Sequence, residues 1–217
     1  MSVLRPLAPI LGLVTAAVLF APVAGFAALI SSPTDPALSG ALLQTFDGEA
    51  TGDFSDRTFL IGGAGFTVTP VTSTMQIEGN WCDDFGTSNN CLGTNSGTSG
   101  ANDDFDVVFT GAGVSAFAFE INALDADWTI STYDENDVLL NTYTILSQSP
   151  GLSGFDRRGF FGATETSPIQ RFTVRSTGDD WALIDDVRYV PTPEPGTALL
   201  AGLGLIGLAY AGRPKRR

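Results

Sequence analysis

A single antiparallel β-sandwich with a hydrophobic helix at each end of the chain is the all-β fold predicted here, on three observations. Apolar and polar residues alternate in short runs between residues 28 and 190. Gly, Asn, Asp and Ser break those runs about every ten residues. The stretch left between the two hydrophobic ends has the length of one domain and can bury a real core.

The N-terminal element runs from Met1 to about Ala27. It has one cation, Arg5, then an apolar stretch from Leu7 to Phe20, and closes with Ala24-Gly25-Phe26-Ala27-Ala28. That is the three-part layout of a secretory signal peptide. The alternative, an uncleaved anchor, is opposed by Pro6, Pro9 and Pro22, which interrupt a long helix.

Strands are then predicted at Leu42–Phe46, Phe66–Thr69, Thr74–Glu78 and Phe105–Thr110. From Val114 to Ala123, Phe117, Phe119 and Ile121 share one face, and Val114, Ala116, Ala118 and Glu120 share the other. Trp128–Tyr133, a turn at Asp134-Glu135-Asn136-Asp137 and a return over Val138–Leu146 form the clearest hairpin. Gln170–Ser176 and Ala182–Val190 are two further strands. Gly86–Asn102, rich in Thr, Ser, Asn and Gly, reads as a long surface loop. Pro191–Pro195 is a stiff spacer. The 16 residues Thr197–Gly212 are uncharged; as a helix they span about 24 Å, short of the roughly 30 Å hydrocarbon core. Arg213, Lys215, Arg216 and Arg217 close the chain and place the body outside a membrane. The expected organisation is therefore 1–27 signal peptide, 28–190 sandwich and 191–217 tail.

Charge excludes whole classes of function. The body holds twenty-three acids against six arginines and no lysine, a net charge near −17, compared with −13 for the chain. Such a surface repels phosphate backbones, so no nucleic-acid partner is expected, and it favours cations, Ca²⁺ above all. There is no histidine, which removes most hydrolase triads and most zinc sites. The two cysteines, Cys82 and Cys91, are expected to form a disulfide in an exported segment. Closing so short a loop contributes about 2–3 kcal/mol in the chain-entropy account. The alternative, a reactive thiol pair, wants tighter spacing and positive neighbours, whereas Asp83 and Asp84 lie beside it.

Pro193-Glu194-Pro195-Gly196-Thr197, the Gly/Ala/Leu run and the Arg-Pro-Lys-Arg-Arg end together resemble a PEP-CTERM protein-sorting signal. The same tail is also known as an ice-binding protein C-terminal domain, a label that says nothing about binding ice. The resemblance implies a Gram-negative bacterium, export, and a transient hold in the inner membrane by the C-terminal helix. It further implies an exosortase-type membrane protease as partner, cleavage near Pro193-Glu194-Pro195, and delivery to the cell surface or an exopolysaccharide matrix. An ordinary single-pass anchor is the alternative. Val107–Val114, Ala116–Ile121 and Trp181–Tyr189 resemble jelly-roll, lectin-like sandwiches, a likeness that implies fold more than function.

Candidate chemistry is thin. The acidic pairs and clusters lack the EF-hand pattern. Asp185-Asp186 is the best metal candidate, since alternation puts Asp185 with Leu183 and Val187, and Asp186 with Ile184 and Arg188. One carboxylate is then partly buried and needs a partner, which backbone N–H groups or an arginine supply as well as Ca²⁺. Trp128 and Trp181 fit core positions, whereas Trp81, at the edge of the disulfide loop, is the candidate glycan contact. With so many acids a glycosidase-like pair arises by chance, and no nucleophile elbow or phosphate loop occurs. The expectation is a non-enzymatic matrix protein that binds polysaccharide, or a purely structural one; a carbohydrate-active enzyme is the remaining rival.

Overall fold

The computed structural model describes residues 27–71, 74–79, 82, 90–94, 104–122, 126–146, 159–178, 182–193 and 202–206. Its strands are β1 Ala28–Ile30, β2 Leu42–Gln44, β3 Gly52–Phe54, β4 Arg57–Ile61, β5 Ala64–Pro70, β6 Met75–Glu78, β7 Cys91–Thr94, β8 Phe105–Phe109, β9 Val114–Asn122, β10 Trp128–Tyr133, β11 Leu139–Ile145, β12 Gly159–Ile169, β13 Arg171–Ser176 and β14 Leu183–Pro191. They form two antiparallel sheets, ordered β1-β12-β9-β14-β7-β6-β3 and β11-β10-β13-β8-β5-β4, with β2 pairing on the later half of β14. The predicted sandwich is therefore the observed fold. The leader lies outside the described residues. Of the expected C-terminal helix, residues 202–206 are described and helical, and Leu203, Leu205 and Ile206 are exposed. Among the described residues no helix is long and apolar enough to cross a membrane.

The core between the sheets is aromatic. Phe66, Phe105, Phe109, Phe117, Phe119, Phe172, Trp128 and Tyr189 are all essentially sealed from solvent. The alternation in β9 places Phe117, Phe119 and Ile121 in this core. Its other face is buried too: Ala116 and Ala118 pack under Ile30 of β1 and Leu38 of a 3₁₀ turn, Pro36–Leu38. Small side chains there let the N-terminal segment lie close. At Gly162 of β12 an added Cβ would stand 2.5 Å from the Ala118 Cβ and 2.6 Å from the Phe117 carbonyl, so only glycine fits between β12 and β9.

The β10–β11 hairpin forms as predicted, with Trp128 opposite Ile145 and Ser131 opposite Thr142. Asp134 Oδ1 accepts from the N–H groups of Asn136 and Val138, and Asp137 takes a positive φ of 62°. A short acidic side chain tolerates that backbone.

Two expectations are corrected. Cys91–Thr94 lies inside the predicted Gly86–Asn102 surface loop, yet it is β7, wholly buried between β14 and β6. A β-strand of Cys-Leu-Gly-Thr has too few apolar residues to show a period; its partners make it a strand. The alternation expected across Asp185-Asp186 also fails. A bulge between Asp185 and Arg188 gives Asp186 a φ of 51°. Ile184, Val187 and Tyr189 thereby enter the core together, and neither Asp186 nor Arg188 does. One extra residue has kept two charges out of an apolar layer.

A polar contact is enclosed near one sheet edge. Glu165 of β12 accepts at Oε1 from the Thr132 hydroxyl, 2.7 Å away, and from the Tyr143 hydroxyl, 2.8 Å away. Burial, then the Glu165 carboxylate, push Tyr143 up from 10.0 to about 12. The fold thus favours the neutral phenol. That contribution to stability is fully present below pH 10 and is lost as the pH rises through about 12. Burial also raises Tyr189, so a spectrophotometric titration should show two late phenolates that ionise with unfolding, and Tyr143→Phe should remove one of them. An unchanged late amplitude in Tyr143→Phe would contradict this arrangement.

Candidate functional site

The strands give the sandwich two distinct ends. β9 begins at Val114, where β14 finishes at Pro191, β12 finishes at Ile169 and β13 begins at Arg171. The turns 62–63, 110–113 and 134–138 lie at this same end, as the β4–β5, β5–β8, β8–β13 and β10–β11 pairings require. We call it the tail end, because Thr192 and Pro193 leave from it.

Two adjoining cavities open there. The larger, about 540 Å³, is lined by Leu42, the glycine turns 62–63 and 111–113, Pro191 and Thr192. The smaller, about 340 Å³, is lined by Asp134, Glu135, Ser167, Pro168, Gln170 and Pro193. Ala112 and Thr192 belong to both walls. Backbone fixes this ridge: the Thr192 N–H donates to the Gly113 carbonyl at 2.9 Å. Gly113 has a φ of 76°, and a Cβ there would lie 2.6 Å from the Ile169 carbonyl. The turn can therefore approach β12 only because it has no side chain. The Thr192 hydroxyl is buried without a hydrogen-bond partner, so the ridge carries an unspent donor and acceptor. With peptide groups, Gln170 and the Asp134 and Glu135 carboxylates around them, the clefts suit a hydroxyl-rich neutral ligand better than an anion.

The sequence-predicted residues fall in separate places. Pro193 is exposed at the tail end. Glu194, Pro195, Arg213, Lys215, Arg216, Arg217 and Trp81 lie outside the described residues. Cys82 and Cys91 are disulfide-bonded, and the bridge is fully buried against Leu183. Asp185 is buried and its Oδ1 accepts from the Asp186 N–H at 2.7 Å. Arg188 holds Asp186 by its carboxylate at 2.8 Å and its carbonyl at 3.1 Å. An arginine and a backbone N–H thus serve the two carboxylates, the first of the partners the sequence allowed. Among the described residues no group of three or more cysteines or acids gathers around one point.

All four described arginines of the body are similarly engaged. Arg57 pairs with Glu49, Arg171 with Asp106 and Asp137, and Arg175 with Asp104 and Asp106. Arg171 also covers the Tyr133 ring at 3.9 Å, so this surface aromatic is already capped. The tail-end clefts were not foreseen. Their one sequence signal is the recurrence of Gly62-Gly63 and Gly111-Ala112-Gly113, two turns that nothing before folding places side by side.

The chain is similar in structure to a DUF4465 family protein from Bacteroides caccae, at 11% identity and TM-score 0.43, over 76% of this chain and 100% of that one. It is also similar to TmCBM61 solved with β-1,4-galactotriose, at 11% identity and TM-score 0.35, over 58% and 88% of the two chains. A third likeness is to the enzymatically active domain of bacteriophage CBA120 tailspike protein 4, at 15% identity and TM-score 0.38; it covers 58% of this chain but only 19% of that one. At such scores nothing about ligand or activity is transferred. No curated protein matches the sequence. Residues 191–217 match the PEP-CTERM protein-sorting motif, so the tail that leaves the sandwich at Pro191 is a bacterial sorting signal, which implies export, membrane-associated sorting and processing by an exosortase.

Proposed function

We propose that the chain is a non-enzymatic, exported protein of the cell surface or exopolysaccharide matrix of a Gram-negative bacterium. Its sandwich is the working part, and its leader and tail are removed on the way. The observation that carries this reading is the match at 191–217, which begins on the last residue of β14. Sorting signal and folded body therefore adjoin without a linker.

The ligand we assign is a neutral polysaccharide held at the tail-end clefts. Their lining of peptide groups, Gln170 and carboxylates supports it, and a body charge near −17 disfavours anionic polymers. Trp81 remains part of the proposal, as does a supporting Ca²⁺ at Asp185-Asp186, which would have to displace Arg188 from Asp186. A glycan array of the tail-free protein, run with and without EDTA, tests it. Binding to neutral glycans that weakens on Gln170→Ala is expected, and a loss in EDTA would assign the cation. Silence under both conditions would sink the lectin reading in favour of a purely structural matrix protein.

A further inference from the structure

The first residues of the mature chain return to the end from which the tail departs. Ala28 of β1 pairs with Thr164 of β12, Thr164 with Ala116 of β9, and Ala116 with Val190 of β14. These four residues form one row across the sheet, so three strand spacings, about 14 Å, separate the two exits. The leader that precedes Ala28 and the tail that follows Val190 both carry long apolar runs. Each therefore reaches a membrane from the same end of a rigid body.

The tether is short. Thr192 is bonded to Gly113, and the apolar run starts at Thr197. Five fully extended residues reach at most about 17 Å. Two of the three turns at this end, 62–63 and 111–113, are glycine and alanine, carry no charge and suit close approach, while the third carries Asp134, Glu135 and Asp137. The only acids lining the clefts, Asp134 and Glu135, belong to the smaller one.

We propose that the unprocessed protein stands end-on against the lipid bilayer, with the tail end and its two clefts facing the head groups and the ends of β7, β9 and β11 at Thr94, Asn122 and Ile145 facing away. The clefts are covered until the tail is cut, and cutting exposes them. The inference rests on the sorting route proposed above.

Val138 and Leu146 mark the two ends on either side of β11, and both are exposed, at 56% and 69%. About 27 Å of strand separates them. The full chain bearing Val138→Cys or Leu146→Cys, labelled with a thiol-reactive fluorophore, is reconstituted into vesicles containing head-group nitroxide lipid. The native cysteines are bridged and buried, so only the new thiol reacts. The expected result is co-flotation with the vesicles and quenching several-fold stronger at position 138 than at 146. Equal quenching on floated protein would overturn the end-on orientation alone. Failure to float would overturn the membrane-held tail and the orientation with it.

Discussion

Phe117→Ala is expected to lower the unfolding free energy by about 3–5 kcal/mol. Phe117 is fully buried and lies at the meeting point of the two sheets. Its ring stacks on Phe172 of the opposite sheet at 4.4 Å with an interplanar angle of 5°. It also contacts Phe109, Phe119 and Phe161 at 6.0–6.2 Å. Truncation removes the transfer term and leaves a cavity walled by rings that are themselves fixed by neighbours. The stacked pair adds about 0.5–1.5 kcal/mol beyond area. Against a typical total of about 5–15 kcal/mol, the loss is roughly a fifth or more. Denaturant unfolding should show a lower midpoint with an unchanged slope. Phe117→Leu should cost clearly less, because most of the volume is kept. Equal midpoints for wild type and Phe117→Ala would mean that the two sheets do not pack through this ring.

The same residue shows what the sequence could reveal. Phe117, Phe119 and Ile121 announce a strand by period alone, since three large apolar side chains at every second position have one buried face to share. The β10–β11 hairpin was equally legible, because Asp134–Asp137 supplies its own turn chemistry. Other strands hide for physical reasons. β12, the longest, reads Gly-Phe-Phe-Gly-Ala-Thr-Glu-Thr-Ser-Pro-Ile; its glycine at 162 and buried Glu165 are set by neighbours from β9, β10 and β11. β7 has no period of its own to read, and its pairing with β6 and β14 is what makes it a strand. The bulge at Asp186 is invisible to alternation because it is the place where alternation stops. The clefts depend on turns separated by some fifty positions of chain, and no local pattern records that meeting. Sorting was legible throughout, since a linear signal is read as sequence and needs no fold.

Replacing Glu194 by Ala, or deleting Arg213–Arg217, is expected to leave the unprocessed chain in the inner membrane. The two changes act on different steps. Thr192 is the last residue shown bonded to the sandwich, and Pro193 beyond it is exposed. A proline on each side of Glu194 restricts the backbone to extended conformations. The protease therefore meets a preset strand whose one distinctive group is a carboxylate, and Glu194→Ala removes that group without loosening the backbone. The basic end works by position. An apolar run of about 24 Å is shorter than the hydrocarbon core, so it grips weakly by itself. Each cation costs about 2.5–3.5 kcal/mol at the bilayer centre, and four together oppose sliding by roughly 10 kcal/mol. Without them the run has no fixed depth, and the Pro-Glu-Pro motif no longer waits at the outer face. Fractionation with mass spectrometry of the accumulated species distinguishes the steps. Glu194→Ala should give a precursor cut at the leader but intact at the tail, firmly membrane-bound. The Arg213–Arg217 deletion should give the same uncut tail with weaker retention against alkaline extraction. Normal processing of both variants would refute the sorting mechanism, and normal processing of Glu194→Ala alone would mean that the prolines, not the carboxylate, are what the protease reads.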